Sequence, residues 1–179
     1  MVGIDEKLTF KPLRIAVLTV SDSRSLKDDR SGDLLVERLT SAGHELAGRD
    51  IVKDDAALIA DRFKAWIDNP DVEVVISTGG TGVTGRDITP EALERVVEKE
   101  IQGFGEMFRM ISYQKIGTSA LQSRATAGVA KGTYLFALPG STGACKDGWD
   151  EILLNQLDIR HRPCNFAELI PRLREHESS

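Results

Sequence analysis

Apolar residues recur along this chain in two alternating rhythms. Arg14–Val20, residues 72–77 and Thr133–Leu138 are short apolar runs, rich in β-branched and aromatic residues, with the length of buried strands. A further strand is expected near Glu45–Val52. Helical spacing fills the intervals. Leu34, Leu35 and Leu39 follow Ser31, a good cap, and Gly43 ends that helix. Ile59, Phe63, Trp66 and Ile67 mark a second helix, capped by Asp54 or Asp55 and stopped by Asn69-Pro70. Residues 90–97 read as a third helix, with Thr89 as its cap, Pro90 at its first position and Glu98 and Glu100 at its end. Residues 103–111 read as a fourth, with Glu106 and Arg109 placed for an i,i+3 surface ion pair. Residues 119–128 are small and polar, a short helix or loop. Trp149, Ile152 and Leu153 belong to a helix after the last strand. Residues 1–12 read as an arm, 13–170 as a single domain, and 171–179 as a frayed carboxyl end. Strands alternating with helices predict an α/β fold on a mostly parallel sheet.

The chemistry gathers where strands end. After residues 72–77 comes Thr78-Gly79-Gly80-Thr81-Gly82-Val83-Thr84-Gly85-Arg86-Asp87-Ile88-Thr89-Pro90. Four glycines lie between a strand's carboxyl end and a helix, where backbone N–H groups can face a phosphate and the helix dipole adds to them. Gly80 to Gly85 fits G-x-G-x-x-G, but Arg-Asp-Ile-Thr-Pro follows instead of an immediate helix, and no ribose-binding acid ends the next strand. The same stretch has Walker A spacing, with Arg86 and Asp87 standing where Lys and Ser/Thr are required. A carboxylate in a phosphate-binding turn calls for a divalent cation between the two, so Asp87 is a candidate Mg²⁺ ligand; the alternative is a turn residue bonding its own backbone. Asp54 and Asp55 fall at the same sheet edge, and one of them could share that metal. Pro139-Gly140-Ser141-Thr142-Gly143 is a second glycine turn opening a helix, placed to converge on the same ligand. The polar loop from Ser21 to Ser25 lies at this edge too, and the charged stretch 27–30 reads as solvated surface.

Composition narrows the partners. A formal charge of −5 over 179 residues gives no basic patch for nucleic acid. Two cysteines make neither a metal framework nor a disulfide scaffold. No apolar run approaches a membrane span and the first residues lack a leader's apolar region, so a soluble cytoplasmic protein is expected. His44, His161 and His176 lie outside the glycine turns, with no Ser/His/Asp or Cys/His constellation to supply a nucleophile.

In combination these motifs resemble the MoaB/MogA family of molybdenum-cofactor biosynthesis. The resemblance is carried by Ser77 to Gly82, by Arg86-Asp87-Ile88-Thr89-Pro90-Glu91-Ala92, by Gly103-Phe104-Gly105-Glu106-Met107-Phe108-Arg109, by Ser123-Arg124-Ala125-Thr126-Ala127-Gly128 and by Leu138-Pro139-Gly140-Ser141. It covers roughly residues 12–168. Arg160-His161-Arg162-Pro163-Cys164-Asn165-Phe166 is similar to the MoaB branch. The resemblance implies a three-layer α/β/α sandwich assembling as a trimer or a dimer of trimers, and transfer of an adenylyl group from Mg-ATP to molybdopterin. Asp87 and Asp54 would hold Mg²⁺. Thr78, Gly79, Gly80, Thr81, Gly82 and Ser21 would face phosphate, and Pro139, Gly140 and Ser141 would line the nucleotide or pterin pocket. Glu106, Arg109 and Ser123 would lie towards the pterin, and Arg86 or Lys146 could add a cation. Other molybdenum-cofactor enzymes are implied as partners. A non-catalytic oligomer that binds molybdopterin, or its precursor, and hands it on is the second reading.

Overall fold

Successive residues of the central strands enter two different cores, and this sets the layers. In the computed structural model, which describes residues 2–175, the elements run β1 (Gly3–Ile4), β2 (Arg14–Val20), α1 (Arg30–Ser41), β3 (Glu45–Val52), α2 (Ala56–Ile67), β4 (Val74–Thr78), α3 (Thr89–Glu94) and β5 (Lys99–Glu100). They continue as α4 (Gln102–Ile116), β6 (Thr126–Ala130), β7 (Thr133–Leu138), α5 (Thr142–Gly148), α6 (Leu154–Gln156) and β8 (His161–Arg162). Ile15 and Val17, Val74 and Ile76, and Tyr134, Phe136 and Leu138 face one core, closed by Leu35 and Leu39 of α1, Phe104 and Phe108 of α4, and Cys145 and Trp149. Their neighbours Ala16, Leu18 and Val20, Val75, and Leu135 and Ala137 face the other, closed by Ile59, Phe63 and Trp66 of α2 and Ala92 and Leu93 of α3. A strand's period of two divides its residues between faces. Each fully buried Leu, Ile or Phe contributes about 1.5–3 kcal/mol to that closure. The result is the expected α/β/α sandwich.

The main sheet has the order β3-β2-β4-β7-β6-β5. β3, β2, β4 and β7 are parallel, whereas β6 and β5 pair antiparallel at one edge. β6 falls in the segment expected to be a short helix or loop. Only Gly117–Gln122 is helical, as a 3-10 turn. Small residues hide this strand's alternation, and smallness is what it requires: a Cβ on Gly128 would stand 2.6 Å from Val97 Cγ1 and 2.8 Å from Lys99 O. The third helix also ends earlier than expected, at Glu94, because the chain turns into β5. The expected arm at the amino end pairs through β1 with β8, and Asp5 N–H donates to Arg160 O at 2.8 Å. The chain enters a 3-10 turn at Ala167–Arg172. Of the segment expected to fray, residues 176–179 lie outside the described residues.

Two caps differ from expectation. Asp29, not Ser31, caps α1, its side chain accepting from Gly32 N–H at 3.0 Å. Asp29 is fully buried, so the charged stretch 27–30 is not all solvated surface. Ile88 precedes α3 without a side-chain cap, and Pro90 follows Thr89 in its first turn. From β2 the chain runs outward to β3, then returns across β2 to β4. Such a reversal opens a crevice at the strands' carboxyl ends.

Candidate functional site

The glycine loop leaves β4 at that crevice, between β2 and β7. Gly79 and Gly80 have φ of +103° and +64°, the left-handed region that L side chains avoid. A Cβ on Gly79 would lie 2.2 Å from Val20 O, so the loop can cross the end of β2 only as glycine. Thr89, expected as a cap, instead pins the loop: its Oγ1 donates to Gly79 O at 2.8 Å and its N–H to Gly80 O at 2.9 Å. Thr78 lies in the strand, buried behind the loop, and donates Oγ1 to Pro139 O at 3.0 Å. A Cβ on Gly140 would reach Gly79 Cα at 3.2 Å, so the two glycine turns pack backbone to backbone, as their sequence positions predict.

Around them opens a cleft of about 530 Å³. Ser21, Ser23 and Arg24 line it from the loop after β2, and Asp54 from the loop after β3. Gly79, Gly80, Thr81, Gly82 and Asp87 form the β4 side. Pro139, Gly140 and Ser141 form the β7 side, where Ser141 Oγ caps α5 by accepting from Ala144 N–H at 3.2 Å. Phe108 and Ser112 of α4, with Ser119, Gln122 and Ser123, close the remaining wall. Thr81 is 2% exposed, and its buried Oγ1 has no partner among the described residues.

The cleft is electrostatically divided. Asp55 caps α2, accepting from Ala57 and Leu58 N–H at 2.9 and 3.0 Å, which leaves the Asp54 carboxylate to the cleft. Burial and the like charges of Asp22 and Asp87 push the Asp54 carboxyl above the usual carboxylate range, against the opposing charge of Arg86. Burial acts the same way on Asp87, but hydrogen bonds prevail and hold it below that range. Its Oδ2 accepts from Thr84 Oγ1 at 2.7 Å and Thr84 N–H at 2.9 Å, with Gly82 N–H and the charge of Arg124 adding to them. Among the described lining residues Arg24 is the one cation. Its guanidinium donates to Ser31 Oγ at 3.2 Å and Gly140 O at 3.3 Å. Behind it, buried Asp29 accepts from Thr19 Oγ1 at 2.7 Å and from Arg49 Nη2 at 3.1 Å.

Other expected residues stand elsewhere. Glu106 and Arg109 line a neighbouring depression that meets the cleft only at Ser123. The expected ion pair between them is not formed; Arg109 Nη1 donates instead to Ala125 O at 3.3 Å and Ser123 O at 3.5 Å. Arg86 pairs with Asp22 outside the cleft lining, and Lys146 lies outside it too. Sequence reasoning missed Arg24 and Ser112. Each left a signal: Arg24 sits three residues past Ser21 at a strand's carboxyl end, and Ser112 is a polar residue on α4's buried face. Among the described residues no group of three or more His, Cys, Asp or Glu gathers as a metal centre.

The family model described as a probable molybdopterin binding domain matches residues 16–159. The chain belongs to this family. Within the molybdopterin-binding-domain family it is similar to molybdenum cofactor biosynthesis protein B of Escherichia coli K12, at 52% identity over 157 residues, covering 88% of this chain and 92% of that one. A crystal structure of a molybdenum cofactor biosynthesis protein B superposes with a TM-score of 0.84 at 40% identity, covering 92% and 98% of the two chains. The tungsten cofactor synthesizing protein MoaB of Pyrococcus furiosus superposes at 0.72 with 32% identity, covering 94% and 99%. These findings bear out the resemblance to MoaB/MogA proteins. No helix among the described residues is long and apolar enough to cross a membrane.

Proposed function

We propose that this protein serves molybdenum-cofactor biosynthesis by transferring the adenylyl group of ATP to molybdopterin, with release of pyrophosphate. The observation that carries this is the meeting of a glycine loop, an unpartnered Thr81 hydroxyl and two carboxylates, Asp54 and Asp87, in one cleft at the sheet's switch point. That set suits a polyphosphate. The two acids also suit Mg²⁺, which takes one or two carboxylates together with phosphate oxygens, and the pressure of neighbouring charge on Asp54 is what a cation would relieve. When bound, Mg²⁺ on Asp54 and Asp87 would offset charge on the pyrophosphate leaving group.

The remaining chemistry is positioning, which is most of what phosphoryl-type transfer asks of a protein. The pterin's phosphate oxygen attacks the α-phosphorus of ATP. That P–O bond forms as the bond to the β-phosphate bridge breaks, and the pyrophosphate departs with the electron pair, so no side-chain nucleophile is needed. Loop N–H groups and Thr81 Oγ1 are preorganised donors to the developing charge. Arg24 supplies a cation from the loop after β2, in the role expected of Arg86 or Lys146. Ser21 and Ser123 offer hydroxyls on opposite walls, and Pro139, Gly140 and Ser141 shape the floor. Glu106 and Arg109 would meet only a part of the pterin extending past Ser123. The exposed face of α4, with Met107, Met110 and Tyr113 all at least 47% open, is the surface we assign to contact between copies in a trimer or larger assembly.

The test is incubation with molybdopterin, ATP and Mg²⁺, followed by chromatography for adenylylated pterin and assay of pyrophosphate. Wild type should make both products. Asp87→Asn should abolish turnover with its circular dichroism unchanged, and Asp54→Asn should show a smaller loss. Tight pterin binding without product would replace the enzyme with a carrier.

A further inference from the structure

The back of the glycine loop is held by one side chain that does not itself line the cleft. Arg124 follows the 3-10 turn after α4, 37 positions beyond Asp87 in the chain. Its backbone N–H donates to Thr81 O at 2.8 Å. Its side chain donates Nε to Gly82 O at 2.6 Å and Nη2 to Asp87 O at 2.7 Å. The guanidinium is aimed by Glu91 of α3, whose carboxylate pairs with Nη1 and accepts from Nη2 at 3.3 Å. Arg124 lines the depressions behind and beside the loop and is absent from the main cleft.

The C=O and N–H of one peptide unit point in opposite directions. The Thr81–Gly82 unit, its carbonyl held by the Arg124 N–H, turns its own N–H towards Asp87, where it helps stabilise the carboxylate. The Gly82–Val83 unit, its carbonyl held by Nε, points its N–H away from Arg124. A loop with three glycines in four positions has little conformational preference of its own, so its polarity must come from outside partners.

We propose that Arg124 is a positioning residue that sets the polarity of the glycine loop, gathering the carbonyls of Thr81, Gly82 and Asp87 on the far side so that the Gly82 N–H stays turned to the Asp87 carboxylate and that carboxylate is held in place for the ligand. The assignment rests on the phosphate-binding role proposed above only for its functional consequence. The clamp itself is a property of the ligand-free protein. It also ties the loop to the wall that ends at Ser123, through both its backbone and its side chain. Lysine cannot replace the arginine, because a single ammonium cannot span Gly82 O, Asp87 O and Glu91 in a fixed fork.

Hydrogen exchange on the ligand-free full-length protein, comparing wild type with Arg124→Lys and Arg124→Ala, tests the clamp directly. The Thr84 and Asp87 amides, which bond Asp87 Oδ2 and Thr84 O, report the loop. In both variants they should exchange at least tenfold faster, while the amides of β2, β4 and α2 keep wild-type rates. Isothermal titration with ATP should then show a dissociation constant raised about tenfold in both variants. Unchanged loop exchange in Arg124→Lys would overturn the proposal, and so would equal loosening of the whole sheet, which marks a merely structural residue. Faster loop exchange in a protein whose wild type binds no ATP would uphold the clamp and refute the adenylyl-transfer role.

Discussion

Replacing Gly82 with alanine should damage function with little effect on the fold, because of where the added methyl goes. Gly82 does not use the left-handed conformations of Gly79 and Gly80, so alanine meets no backbone strain there. Its Cβ would stand 2.7 Å from Asp87 Oδ2, 3.0 Å from Cγ and 3.2 Å from Oδ1, so its three nearest neighbours belong to this one carboxylate. Ordinary contact begins at 3.4 Å, so the carboxylate must retreat by about 0.7 Å. That movement strains the Thr84 Oγ1 and N–H bonds, at 2.7 and 2.9 Å. Loss of one such bond at a partly exposed site costs about 1 kcal/mol, or about 2–4 °C of Tm in a chain of this size. A reacting group displaced by about 1 Å can lose about 100-fold in rate. We therefore expect pyrophosphate release to fall about 100-fold in Gly82→Ala while Tm drops by no more than about 4 °C. Gly79→Ala is the contrasting control. There the methyl meets Val20 O at 2.2 Å on a backbone of φ +103°, and at least about 3 kcal/mol should be lost from stability. Wild-type turnover in Gly82→Ala, with the Asp87 carboxylate unmoved in its structure, would refute both the packing and the role given to Asp87.

Three further outcomes follow from other parts of the molecule. Arg24→Ala removes the cation of the cleft, and a charged hydrogen bond contributes about 1.5–3 kcal/mol, so ATP affinity measured by titration calorimetry should fall by at least about tenfold. Burial pushes the Cys145 thiol up to about 11 despite its contact with Thr78 Oγ1, whereas Cys164 is exposed; a disulfide reagent should titrate one thiol in the native protein and two in denaturant. Burial also lowers the His44 pKa, against the opposing charges of Asp158 and Glu73, and His44 Nδ1 accepts from Leu13 N–H at 3.1 Å. The unfolded chain therefore binds this proton more readily than the folded one. The contribution is complete above the unfolded value, about 6.5, and is lost as pH falls towards the folded one. Urea midpoints should decline from pH 7.5 to pH 5.5 in wild type, and less steeply in His44→Gln.

The parallel strands were legible because β2, β4 and β7 are continuous apolar runs, buried on both faces, and the helices because Ile59, Phe63 and Trp66 recur at helical spacing. The meeting of the two glycine turns was legible because both follow strands of one sheet. β6 was not, since Ala127 and Gly128 carry no apolar alternation and are selected for close strand approach. Nor could periodicity tell Asp54 from Asp55, or Asp29 from Ser31. A cap is decided by backbone geometry at one residue, and the aspartate that caps is the one withdrawn from the cleft. Arg24, Arg109 and Arg124 were the least legible in their bonding. Their partners at Gly140, Ala125, Gly82 and Asp87 include main-chain carbonyls far away in sequence, which no side-chain pattern announces.

The sharing of β2, β4 and β7 between two cores limits how this chain can change length. One inserted residue within β7 would shift every later position by one, sending Phe136 towards the space that Leu135 and Ala137 fill and leaving a void opposite Phe104. Neither core could absorb the error by local repacking, because each loses large side chains where the other gains them. Insertions and deletions should therefore survive only in connections such as residues 22–28, where an added residue leaves the strand faces in phase. Deep insertion scanning read out as soluble yield would draw that map as sharp gaps over three strands.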